Sequence, residues 1–171
     1  MHQIISIIEY NPNWPVQFLI ERDILQTVLS KWLVGDIEHI GSTAVPGLAA
    51  KPVIDIMAPV ASLEGSWGAI KAAESVGYCF YPYKPDEMYW FCKPSPELRT
   101  HHLHIVPLGS QTWVERLAFR DALRQNPELA QEYDALKRRL AQDFANDREA
   151  YTDAKAPFIR NAIRMQISYK T

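Results

Sequence analysis

The sequence predicts an α+β fold, a mixed β-sheet flanked by helices with further helices packed on it toward the C-terminus. Three observations predict it. Hydrophobic residues make up 47% of the 171 and charged residues 22%, ordinary proportions for a chain that buries a core and unlike disordered, collagen-like or coiled-coil sequences. Residues 1–114 hold only 7 basic and 11 acidic side chains among many β-branched and aromatic residues, which suit a pleated, half-buried surface. Residues 115–171 hold 11 basic and 9 acidic side chains among good helix formers, the composition of amphipathic helices with solvated faces. The length predicts a single unit over 1–171, sheet-bearing to about residue 110 and helical over about 111–171.

The elements follow in order. Ile4, Ile5, Ile7 and Ile8 predict a short strand or apolar lead-in ended by Asn11-Pro12. Trp14, Phe18, Leu25, Val28, Leu29 and Trp32 recur at helical spacing and predict a helix over 15–32, closed by Gly35. Residues 36–40 are short and strand-like, and the turn-rich GSTAVPGLAAKP separates them from a second strand over 53–58. A helix over 65–76 ends at Gly77, and β-like segments follow at 78–83, 88–93 and 100–106, the first two joined by the Lys84-Pro85-Asp86 turn. Residues 115–124 predict a helix, and Asn126 as cap with Pro127 behind it starts another, carrying Leu129, Tyr133, Leu136, Leu140 and Phe144 on one stripe. Pro157 interrupts or begins a last amphipathic helix through Phe158, Ile159, Ala162, Ile163 and Ile167.

Composition also narrows partners. A formal charge of -2 gives no general grip on a long nucleic acid or an acidic membrane. No apolar run reaches the ~18 residues of a membrane span. The start MHQIISIIEY lacks a signal peptide's basic head and cleavage site, so the expected location is cytoplasmic. In that reducing setting Cys79 and Cys92 read as buried small hydrophobes rather than a disulfide or metal pair. Nothing fixes the oligomeric state.

The chemistry concentrates in residues 38–55. Gly41 lets backbone approach a ligand closely, and Ser42 and Thr43 can cap a short helix whose free N–H groups seat a phosphate. Asp55 is a lone carboxylate in an apolar strand, costly to bury unless paired, metal-bound or facing a cleft, and Lys51 just before it offers a compensating charge. The bland alternative makes these a turn, a salt-bridged residue and a solvated lysine. In the later strand His102 and His104 are two apart and share a face. If that strand lies beside the Asp55 strand, Asp55, His102 and His104 form a His₂-carboxylate group suited to Zn²⁺, Mn²⁺ or Fe²⁺, or the imidazoles serve as phosphate ligands or as acid and base. His39 sits on the face opposite Glu38 and Ile40 and can orient the Gly-Ser turn or line the cleft. Tyr89, Trp90 and Phe91 can stack a base, although aromatics at this alternation more often fill a core. Arg120, Arg124, Lys155 and Arg160 on the late helices can reach phosphates.

Residues 38–56, from Glu38-His39-Ile40-Gly41-Ser42-Thr43 through Lys51-Pro52-Val53-Ile54-Asp55-Ile56, resemble the signature of the GrpB family, a branch of the nucleotidyltransferase superfamily. The resemblance continues through His102-Leu103-His104-Ile105, Phe119-Arg120-Asp121-x-Leu123-Arg124 and Asp147-Arg148-Glu149-x-Tyr151-x-x-x-Lys155, nearly the whole chain. It implies a nucleotidyltransferase-like sheet and metal-assisted nucleotidyl or phosphoryl transfer: Gly41, Ser42, Thr43, Lys51, Arg120 and Lys155 on the phosphates, Asp55 and His104 catalytic, and Asp55, His102 and His104 on a divalent metal (Mg²⁺, Mn²⁺ or Zn²⁺). The expected partner is a small phosphate-bearing ligand such as a nucleotide. GrpB-like domains fused to dephospho-coenzyme A kinase point to a nucleotide or coenzyme A connection. The superfamily's working members, however, carry two carboxylates one residue apart and a third on a later strand, holding two Mg²⁺ ions for in-line attack. Here the second position is Met57, a poor partner for a hard cation. That departure supports the alternative, a non-catalytic nucleotide- or coenzyme A-binding module. A third reading, a histidine-triad hydrolase, matches His102 and His104 but meets Val106 where the third histidine is needed.

Overall fold

The structure is a computed structural model that describes residues 4–168. Its α-helices are α1 (Trp14–Leu29), α2 (Gly68–Glu74), α3 (Gln111–Gln125), α4 (Pro127–Asp143) and α5 (Arg148–Ser168). Its strands are β1 (Glu38–Ile40), β2 (Ile54–Val60), β3 (Cys79–Tyr81), β4 (Tyr89–Pro94) and β5 (Arg99–Pro107). The strands form one mixed sheet in the order β1-β2-β5-β4-β3, in which β2 and β5 run parallel and every other pair is antiparallel. The fold is therefore α+β, as predicted.

Alternation sorts the sheet into two faces. Ile54, Ile56, Ala58 and Val60 of β2 and Leu103 and Ile105 of β5 point into the main core with Trp14, Phe18, Leu25 and Leu29 of α1 and Ala69 and Ala73 of α2. Each large side chain buried there stabilises the fold by about 1.5–3 kcal/mol. On the other face Met57, Ile40, Met88 and Val106 pack under Trp113 and Leu117 of α3. The α4 stripe predicted from sequence lies partly against the turn after β1 and partly against α5: Tyr133 joins Val45, Leu48 and Leu123, while Leu140 joins Ile5 and Tyr151. No helix among the described residues is long and apolar enough to cross a membrane.

Several boundaries move. The isoleucine run forms no strand; only Ile8 bridges Ala50, and Ile5 bonds the carbonyl of Ala145. The first helix ends at Leu29, so residues 30–32 are turn rather than helix, and Leu33 bridges Val60. The third begins at Gln111, four residues early, because the Ser110 side chain accepts a hydrogen bond from Trp113 N–H and caps it. Pro157 neither interrupts nor starts α5 but lies inside it, on an exposed position. Cys79 and Cys92 face each other across β3 and β4 as free thiols.

Candidate functional site

The parallel pairing of β2 with β5 sets Asp55 opposite His102 and Met57 opposite His104. Alternation turns all four side chains to the α3 face, so the condition on which the Asp55–His102–His104 group depends is met. His102 Nδ1 lies 2.9 Å from Asp55 Oδ1, and His104 Nε2 lies 3.7 Å from the same oxygen, beyond hydrogen-bond reach. With Asp55 ionised, His102 donates from Nδ1, which leaves its Nε2 as the acceptor nitrogen. Burial by itself would raise the Asp55 carboxyl, but the hydrogen bond and charge supplied by His102, with His104 beside it, hold it well below the usual carboxylate range. The carboxylate is still 28% exposed and His102 22% exposed, whereas His104 is 5% exposed. Burial, with Arg116 nearby, pushes His104 down to about 4 against the pull of Asp55, so at neutral pH it is an uncharged imidazole. His102 Nε2 and both His104 ring nitrogens are buried without hydrogen-bond partners, three polar atoms whose bonding a polar ligand would complete.

These donors bear directly on a metal. His102 Nδ1 is already engaged by Asp55, and Asp55 Oδ1 with His104 Nε2 makes only two ligands. Among the described residues no group of three His, Cys, Asp or Glu side chains is spaced to hold a metal ion. Met57 is fully buried among Ile40, Val106, Trp113 and Leu117, leaving no opening for a second hard ligand. As the side chains stand, the group fits a hydrogen-bonded acid–base pair and not a two-metal carboxylate cage.

Gly41 has φ 73° and ψ -174°, a region reached essentially by glycine alone. The sequence assigns it close approach to a ligand, and the structure shows close approach to Asp55: a Cβ there would lie 2.6 Å from Asp55 Oδ2. Residues 42–44 form a single 3-10 turn. Thr43 is buried, donating to Val53 O and meeting His39 Nε2 at 3.0 Å, so its hydroxyl braces the turn from within. His39 stacks on Phe18 with ring centroids 4.7 Å apart. Burial pushes it down to about 4, against Asp55 and helped by Arg124 and Arg120; neutral, it orients the Gly-Ser turn and does not line the cleft. Ser42 is the half-exposed hydroxyl of the turn, and its influence lowers the Tyr133 hydroxyl of α4 against the burial that raises it.

Beyond Asp55 the site is cationic. Lys51 Nζ lies 4.1 Å and Lys155 Nζ 4.3 Å from the centroid of the buried Tyr151 ring, cation–π contacts that hold both ammonium groups. Burial, with the repulsion of Lys155 and Arg148, pushes Lys51 down to about 7 although Asp55 opposes it. Burial lowers Lys155 to about 8, again against Asp55. Arg99, with its guanidinium 5.3 Å over the Trp90 ring, adds to the same field. An anion placed here would stabilise the charged lysines.

The remaining predicted residues divide. Arg120 faces β1, where Nη1 donates to Glu38 Oε2 at 2.6 Å and to His39 O, and Nε donates to Asp121. Arg124 donates to Ala44 O, and Arg160 is exposed on α5. Both Tyr89 and Phe91 belong to the core, while Trp90 turns to the other face with its ring 5.1 Å from His102. Tyr133, Tyr151, Arg99 and Arg116 join the site without having been singled out. The four-residue spacing of Tyr151 and Lys155 was the signal available for Tyr151, since it puts both on one helix face.

A family model described as GrpB protein matches residues 4–165. Over 160 residues the chain is 33% identical to the glutamate-rich protein GrpB of Alkalihalophilus pseudofirmus, covering 91% of each chain. It is 39% identical to a UPF0157 protein of Pseudomonas aeruginosa over 88% of this chain, and spans 63% of that protein's length. A dephospho-CoA kinase of Mycolicibacterium paratuberculosis is 27% identical over 94% of this chain and 45% of its own length. Among solved structures, the conserved protein GrpB from Enterococcus faecalis superposes with a TM-score of 0.87 at 34% identity, covering 96% of this chain and 99% of that one.

Proposed function

The chain belongs to the GrpB family, and from that premise we propose that it binds a small phosphate-bearing ligand, such as a nucleotide, and transfers a phosphoryl or nucleotidyl group beside Asp55 in a nucleotidyltransferase-like cleft. The observation that carries this reading is the Asp55–His102 hydrogen bond, with His102 Nε2 unpartnered, next to Lys51 and Lys155 on Tyr151. Asp55 fixes the His102 tautomer and stabilises the imidazolium that forms. His102 Nε2 takes the proton of the attacking hydroxyl as its oxygen bonds to phosphorus, and the departing oxygen leaves with the electron pair of the broken bond. Lys51 and Lys155, with the Ser42 hydroxyl, offset the phosphate charge. The base role goes to His102, whose tautomer the Asp55 bond fixes with Nε2 as acceptor; His104, with both ring nitrogens unpartnered, supplies a polar contact and a proton-free wall. No step is routed through a divalent cation, because two donors do not make the cage that such chemistry needs.

Met57, sealed in an apolar cluster, favours a second reading, a binding module for a nucleotide or coenzyme A precursor that shares the phosphate seat without the chemistry. The likeness to dephospho-CoA kinases adds coenzyme A precursors to the ligands worth trying. One experiment separates the two. Thermal shift with nucleotides, pyrophosphate and dephospho-coenzyme A, each with and without Mg²⁺, Mn²⁺ and Zn²⁺, is paired with phosphorus NMR of the same mixtures for the wild type and Asp55→Asn. Ligand-raised melting with turnover lost in Asp55→Asn supports the transferase. Raised melting with no turnover in the wild type supports the module. No shift with any phosphate ligand sinks both.

A further inference from the structure

Helix α3 carries arginines at 116, 120 and 124, a four-residue spacing that lines them along one stripe. Two are tied down: Arg120 by Glu38, Asp121 and the His39 carbonyl, and Arg124 by the Ala44 carbonyl. Arg116, one turn earlier, makes no hydrogen bond or ion pair among the described residues, yet it is half-buried, and its surroundings are those of the site. Asp55 and His104 feel its charge, as do Tyr83, Glu87 and Glu115 at the rim. Its neighbours Trp113 and Leu117 rest on Met57 and Val106, which fixes this stretch of α3 over the Asp55 face of the sheet. A guanidinium has five N–H donors and is costly to bury without an acceptor. Glu87 takes Lys84 and Thr112 on Oε2 and makes no ion pair with Arg116.

Position adds the second part of the argument. Lys51 precedes β2, whereas the α3 stretch that carries Arg116 packs through Trp113 and Leu117 on Met57, two residues past Asp55 and the register partner of His104, on which the Arg116 charge acts. Cations therefore flank Asp55 at both ends along the strand, with the unpartnered His102 and His104 nitrogens between them. We infer that Arg116 is a second anion anchor of this site, so that the ligand carries at least two linked phosphates, one held by Lys51 and Lys155 and the next by the Arg116 guanidinium across the Asp55–His102 pair. This rests on the phosphate-ligand reading above and narrows it to diphosphate-bearing ligands. In the ligand-free protein Arg116 contributes no bond, so its role is to bind and not to hold the fold.

The test is calorimetric titration of the full chain with pyrophosphate and, separately, inorganic phosphate, using wild type, Arg116→Ala, Arg116→Lys, Lys155→Ala and the exposed control Arg139→Ala. The inference expects pyrophosphate to bind the wild type at least about tenfold more tightly than phosphate. Arg116→Ala removes that preference while leaving phosphate affinity and the ligand-free melting temperature unchanged, and Arg116→Lys, which keeps the charge and loses the bidentate fork, restores part of it. A purely structural arginine would instead lower the melting temperature and affect both probes alike. If Lys155→Ala weakens pyrophosphate and Arg116→Ala stays within twofold of the wild type, this inference falls and the phosphate-ligand reading stands. If the wild type takes up neither probe, both fall together.

Discussion

Gly41→Ala tests whether the turn after β1 is built around Asp55. The new methyl would sit 2.6 Å from Asp55 Oδ2 and 3.1 Å from Asp55 Cβ, on a backbone with φ 73°. The backbone conformation costs about 1–3 kcal/mol for a residue other than glycine. The carboxylate must also retreat, which stretches or breaks its 2.9 Å bond to His102. A charge-assisted bond of that kind contributes about 1.5–3 kcal/mol, and at 28% exposure for Asp55 the low end applies. Together the substitution should destabilise by about 3 kcal/mol, which for a chain of this size lowers the melting temperature by about 6–12 °C. Urea unfolding followed by tryptophan fluorescence measures it. Gly47→Ala is the control: its φ is 78° and no atom lies within 4 Å of the added methyl, so it should cost only about 1 kcal/mol. The decisive measurement is Gly41→Ala in an Asp55→Ala background, where the 2.6 Å clash with the carboxylate is gone and only the 3.1 Å approach to Cβ is left. A coupling of about 1.5 kcal/mol is expected there; strict additivity, with coupling under about 0.5 kcal/mol, would refute the reasoning.

Three further outcomes follow from the same geometry. His39 stays neutral when folded, being pushed down to about 4 by burial, against the pull of Asp55 and with the help of Arg124 and Arg120. The unfolded chain therefore binds the extra proton first, and His39 should make stability fall by up to about 3 kcal/mol as pH drops from about 6.5 toward 4; His39→Gln should remove this share of the slope in denaturation series and leave the share that His104, also held at about 4, contributes. Because Lys51 lies at about 7 and Lys155 at about 8, an arriving anion should raise both. Binding at pH 7.5 should then take up protons, seen as a dependence of the calorimetric heat on buffer ionisation enthalpy that disappears in Lys51→Met/Lys155→Met. On the opposite side of the sheet, Lys93 Nζ bonds Glu21 Oε1 at 2.6 Å, with Glu21 7% exposed. Lys93→Met should cost about 3 kcal/mol in urea unfolding by stranding that carboxylate, and adding Glu21→Gln should recover most of it.

Much of this site was legible because strands impose alternation. Once 53–58 and 100–106 read as strands, Asp55 had to share a face with Met57, and His102 with His104. That the two strands lie side by side in parallel was not legible, since pairing between residues 47 apart is decided by the path of the intervening chain. Side-chain direction in the turn was equally hidden: Thr43 resembles a phosphate ligand in sequence, yet its hydroxyl turns inward to His39 and Val53. Arg120 looked like a phosphate contact within a family-like segment, and only packing against β1 reveals Glu38 as its partner. Arg116 carried no signal except its four-residue offset from Arg120. Four isoleucines near the start looked like a strand because their content is β-like, but pairing is confined to the single bridge from Ile8 to Ala50.

The central place of β5 in the sheet has a consequence for how the molecule assembles. β1 and β2 can pair as neighbours in sequence across residues 41–53, and β3, β4 and β5 through shorter connections. The β2–β5 seam closes only when these two pieces dock across a long excursion of chain, and such non-local closure is the slow, entropically costly part of folding. Asp55 arrives with one piece and His102 with the other, so their hydrogen bond cannot exist before the seam is zipped. The Asp55–His102 pair is thus a late product of folding, and a probe on His102 should acquire its native signal in the last kinetic phase, after the two antiparallel pieces have formed.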